Sequence, residues 1–156
     1  MDQTAFDQLC RETCTVLGLP SPDVFRDEGI AEIDEVGMAV RFAPEEDEDA
    51  ISFYVDLGLP APEHQLEVWE QLLQVNLLHG TGTCAVYARD AESGHAVSCL
   101  RLQNADELDA DFLAEMLKFY AAESIKARRM VENPSVWMFE DSQGSASSGG
   151  LSLNLA

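Results

Sequence analysis

Glu63-His64-Gln65-Leu66-Glu67-Val68-Trp69-Glu70-Gln71-Leu72-Leu73-Gln74-Val75-Asn76-Leu77-Leu78-His79 lies between Pro62 and Gly80. Proline has the fixed φ of a first helical turn and glycine favours the stop, so the stretch predicts a helix from Glu63 to His79. Its apolar residues form two stripes. Leu66, Trp69, Leu73 and Leu77 fall on one side, and Val68, Leu72, Val75 and Leu78 on a largely different one. Only a narrow polar face is left, around Glu67, Glu70, Gln71 and Gln74. A small single-layer α+β domain covers one side of a helix, so the second stripe calls for another covering surface, most simply a second subunit.

Upstream, the period of the pattern changes to two. Met38, Val40 and Phe42 alternate with Ala39 and Arg41, and Ile51, Phe53, Val55 and Leu57 alternate with Ser52, Tyr54 and Asp56. With a short strand from Ile30 to Ile33 that turns at Asp34 to Gly37, this predicts three strands. The acidic run Glu45 to Asp49, after Pro44, reads as a solvated hairpin tip. Spacings this short exclude helical crossovers, so the strands pair antiparallel. Downstream, Cys84 to Ala88 and Ala96 to Leu102 form a second hairpin across Asp90 to Gly94.

A first helix is expected from Thr4 to Leu17. Thr4 and Asp7 have capping spacing, Phe6, Leu9, Cys10, Thr13, Val16 and Leu17 share a face, and Gly18 and Pro20 stop it. A third helix opens at Asp106, Glu107, Asp109 and Asp111, carries Lys118, Lys126, Arg128 and Arg129 in later turns, and ends before Pro134; both ends complement its dipole. Its expected apolar face is Leu108, Phe112, Met116 and Phe119, widened by Leu113, Leu117 and Tyr120. Val136 to Phe139 reads as a short docking patch. The expected fold is α+β in the order α-β-β-β-α-β-β-α: an antiparallel twisted sheet packed by helices, in a homodimer joined through the second helix. Residues 1–139 are read as a single domain and 140–156 as a flexible Ser/Gly-rich tail.

The chain has 156 residues, 46% hydrophobic and 24% charged, with 29 acidic residues against 9 Lys and Arg and a formal charge of -20 at pH 7. A field of that sign repels nucleic acid and anionic membranes. The patterning excludes a disordered acidic chain. Met1-Asp2-Gln3-Thr4 does not open a signal peptide and no run is long enough to span a bilayer, so a cytosolic protein without membrane insertion is expected. Cys10, Cys14, Cys84 and Cys99 are accordingly read as reduced, small hydrophobes.

Chemical motifs are missing. There is no Cys-x-x-Cys pair and no His-Glu-x-x-His, which argues against a metal site. Gly80-Thr81-Gly82-Thr83 follows a helix, whereas phosphate loops precede one. The acidic run lacks the spacing and glycine of a calcium loop. His64, His79 and His95 are scattered, and no nucleophile sits in a recognisable motif. The expectation is a binding protein without enzymatic activity or cofactor.

The arrangement resembles the class I type III secretion chaperones, the family of the Tir chaperone. The resemblance rests on Phe6-x-x-Leu9 through Leu17-Gly18-Leu19, the strand pair Met38 to Phe42 and Phe53 to Gly58, the core Leu72 to Leu78 and the hairpin with Gly94. It spans Phe6 to Met130. It implies a homodimer through the second helix and fourth strand. The bulkier Trp69 stripe is assigned to the subunit core, and Val68, Leu72, Val75 and Val86 to the dimer contact. The resemblance further implies that a secreted effector's N-terminal segment binds in extended form, adding a strand to a sheet edge and filling grooves beside the first helix and first three strands. Candidate groove residues are Leu9, Val16, Leu19, Phe25, Val40, Phe42, Phe53 and Val55. An export ATPase is the implied docking partner for release. The alternatives are a regulatory or sensory α+β dimer of related fold, and an acidic nucleic-acid mimic that inhibits a basic protein.

Overall fold

Alternation builds the sheet. In the computed structural model, which describes residues 1–47, 49–78 and 85–135, five antiparallel strands are ordered β1-β2-β3-β5-β4. They are β1 (Ala31–Ile33), β2 (Val36–Phe42), β3 (Ala50–Gly58), β4 (Val86–Arg89) and β5 (Ala96–Gln103). Val36, Met38, Val40 and Phe42 of β2 and Ile51, Phe53, Val55 and Leu57 of β3 are buried on one face. Phe53 lies between Val40 and Leu100 in the register. Gly37, Ala39, Tyr54 and Asp56 fall on the opposite face, because successive side chains alternate across a strand.

The buried face is covered by helices. They are α1 (Gln3–Leu17), α2 (Val24–Asp27), α3 (Gln65–Leu78) and α4 (Ala110–Glu132). Phe6 of α1 packs on Phe42 with ring centroids 5.5 Å apart, and Tyr120 of α4 meets Phe53 edge-on at 6.2 Å. The first helix begins one residue earlier than expected, since Asp2, not Thr4, is its N-cap and accepts from the Ala5 amide at 2.8 Å. Asp109 caps α4 in the same way, accepting from Phe112 at 2.8 Å. The acids before it, Asp106 and Glu107, lie in a separate 3-10 turn. The sequence pattern did not reveal α2, which buries Val24 and Phe25.

Two helix faces differ from expectation. On α4, Phe112 and Phe119 are exposed while Leu113, Ala114, Leu117, Ala121, Ala127 and Met130 are buried. Its buried face alternates large Leu113, Leu117 and Met130 with small Ala114, Ala121 and Ala127, a mixture that interdigitates with its neighbours. On α3 Val68, Leu72 and Val75, assigned to the dimer contact, are buried within the chain, whereas Leu66, Leu73 and Leu77 of the tryptophan stripe are 73%, 66% and 79% exposed, as is Leu78 of the other stripe. Trp69 is half-buried and packs against the core cluster.

Gly18 and Gly58 close α1 and β3 at φ +69° and +97°, so the repeated Leu-Gly-Leu-Pro segments share a left-handed stop. The described residues of the acidic tip are exposed, with Asp47 half-buried, and two of them are paired. Glu46 pairs with Arg41 at 3.1 Å and Asp47 with Arg101 at 2.6 Å. Cys99 stands opposite Val86. The Gly80 to Thr83 turn, Cys84, the Val136 to Phe139 patch and the tail from residue 140 lie outside the described residues. No described helix is long and apolar enough to cross a membrane.

Candidate functional site

The helix-free face of the sheet carries a groove of ≈ 530 Å³. Its floor is made of small residues, Gly37 and Ala39 of β2 with Ala88 of β4 and Val97 and Cys99 of β5, and Ile30 and Tyr54 add apolar wall. Small side chains on adjacent strands leave a trough where larger ones would fill the surface.

One end of the trough is polar. The register of β3 and β5 shifts between Asp56 and Gly58, the signature of a bulge that re-aims a side chain. Asp56 Oδ1 accepts from the Gly58 amide at 2.9 Å and lies 2.8 Å from His95 Nδ1. Across the β4–β5 turn, Asp90 accepts from the hydroxyl and amide of Ser93. These bonds, the hydroxyl's first, hold its carboxyl below the usual carboxylate range. The groove therefore offers apolar wall to an incoming chain and ordered polar groups at one end.

A second surface adjoins it. Leu66, Leu73, Leu77 and Leu78 of α3 are exposed with Val86 of β4, and a ≈ 230 Å³ depression opens beside them among Trp69, Leu72, Leu73, Tyr87, Ala88 and Arg89. Apolar exposure of this extent on one helix marks an interaction face.

The sequence-predicted groove residues divide. Leu9, Phe25, Val40, Phe42, Phe53 and Val55 are buried in the subunit core, Val16 is 44% exposed, and Leu19 is half-buried against the core. The strand residues on that roster face the helices, and their alternates Ala39 and Tyr54 line the groove. Of the predicted dimer residues, Val86 alone is exposed. The missed signal lay in the intervening positions: a run of Gly37, Ala39, Ala88 and Val97 is too small to stand out as an apolar stripe. Among the described residues, no three His, Cys, Asp or Glu side chains are placed to hold a metal ion.

A helix-backed antiparallel sheet with an open apolar face and an unpartnered apolar helix stripe defines a polypeptide-binding module. The model of the Tir chaperone protein (CesT) family matches residues 14–128, and the chain belongs to that family of type III secretion chaperones. No curated protein matches it. Among solved structures, a chain of the ExsC–ExsE complex is similar over 85% of this chain and 98% of its own, at 18% identity and a TM-score of 0.65. A chain of the ExoT–SpcS complex from Pseudomonas aeruginosa aligns over 78% of this chain and 97% of its own, at 17% identity and a TM-score of 0.49.

Proposed function

We propose that the protein is a cytosolic type III secretion chaperone that binds the N-terminal segment of one or more secreted effectors in extended form, keeps them soluble and export-competent, and delivers them to the export ATPase. The observation that carries this reading is the open groove on the sheet of a family member. The groove shields apolar effector side chains from water and from one another, and this needs no catalysis. The working unit is a homodimer in which the exposed α3 leucines and Val86 pack against a second copy; four exposed leucines on one helix are otherwise a standing cause of aggregation. Residues 1–139 form its domain and 140–156 a dispensable tail.

The test is capture from the native bacterium with tagged protein at about 0.5 M salt, where exposed charge pairs are largely screened. Limited proteolysis then maps the captured partners. Recovery of secreted proteins protected near their N-termini is expected, and Ala39→Glu, which places a charge in the groove, should weaken capture by roughly tenfold or more while leaving the circular dichroism spectrum unchanged. Capture of no secreted protein at this salt, with basic proteins alone recovered when the salt is lowered, would overturn the reading.

A further inference from the structure

α3 runs beside β4, the last strand of the sheet, and one of its side chains bonds the strand's backbone twice. Asn76 Nδ2 donates to the Tyr87 carbonyl, and the Tyr87 amide donates to Asn76 Oδ1, both at 2.8 Å. Residues of an antiparallel pair alternate between bonding the partner strand and pointing away from it. Asp90 donates inward to the His95 carbonyl at 2.9 Å, so the amides of Tyr87 and Arg89 point outward. A primary amide presents one donor and one acceptor side by side, the pair that a neighbouring strand would supply. Asn76 occupies the place of that strand for one residue.

We propose that Asn76 closes the β4 edge of the sheet to strand pairing, so that β1 is left as the edge for an added client strand and a second copy meets α3 and β4 through side chains, not through a continuous sheet. An edge left unpaired here would be a template for pairing. It is flanked by the β-forming Val86 and Tyr87 and lies beside exposed leucines, and the occupant it would recruit is β4 of another copy. The inference refines where strand addition occurs in the reading above. Its test needs only the pure chain, so its failure leaves client binding untouched.

The measurements are light-scattering mass across a concentration series and hydrogen exchange at the Tyr87 amide. At concentrations too low for assembly, Asn76→Ala should speed that exchange by at least about tenfold, and at higher concentrations it should produce assemblies larger than the wild type's that grow with concentration. Adding Arg89→Pro, which removes an outward amide from an edge strand, should return the mass to the wild-type value. Asn76→Asp is isosteric and carries the test if the alanine variant does not fold: a carboxylate cannot donate to the Tyr87 carbonyl and repels its oxygen, so the clasp opens and the same concentration-dependent assembly is expected. Wild-type mass in both Asn76 variants would overturn the proposal, as would assemblies that persist after Arg89→Pro.

Discussion

Cys10 illustrates what a single buried group does to the chain. It lies on the inward side of α1, one turn before Cys14, and burial, then the neighbouring Cys14 and Asp7, push its thiol from an ordinary 9.0 up to about 12. A raised folded-state value means that the protonated thiol is the form the fold favours. Its contribution is complete below pH 9 and is lost as pH rises from 9 to about 12. Over that window the urea midpoint of the wild type is expected to fall more steeply than that of Cys10→Ala; parallel curves would contradict the placement. Cys10, Phe6 and Leu9 were legible as one helix face because a 3.6-residue period fixes which side chains share a side. The strands were legible only in part. A period of two separates Val40 from Ala39, but it does not say where a partner binds, and the large apolar side chains of these strands belong to the core face.

At the scale of elements, α3 carries the sharpest lesson. Its pattern disclosed two apolar stripes and hence an unpartnered face, yet bulk was the wrong guide to which stripe lies inside. Which stripe faces the sheet depends on how the helix is set against it, and Val68, Leu72 and Val75 are the residues buried there. The consequence can be measured. Leu73→Asp and Leu77→Asp should convert the proposed dimer to a folded monomer, read by light scattering and circular dichroism. Leu72→Asp should instead lose the folded state, because an unpaired buried carboxylate costs several kcal/mol. Retention of the dimer in both exposed-site variants would remove this face from the interface. The short α2 and the true start of α4 escaped the pattern because a four-residue helix has too few turns to show a period and acids before a helix resemble acids inside it.

For the whole molecule, the order of long elements was readable because each has a strong period and a Gly or Pro boundary, whereas the groove arises only when distant strands bring small residues together. The negative charge is carried at the surface, and Arg11, Arg26, Arg41 and Arg101 are engaged in ion pairs with acids. A chain truncated after residue 139 is expected to keep the melting temperature and solution mass of the full chain; loss of either would place part of the last segment in the folded unit. The sheet separates two duties by parity. Inward residues such as Val40 and Phe53 hold the fold, and outward residues such as Ala39 and Val97 shape the groove. Substitutions at the outward positions can therefore accumulate with little effect on folding, so that, with the groove as the proposed client site, the clients of such a scaffold are free to drift over generations while its architecture stays recognisable.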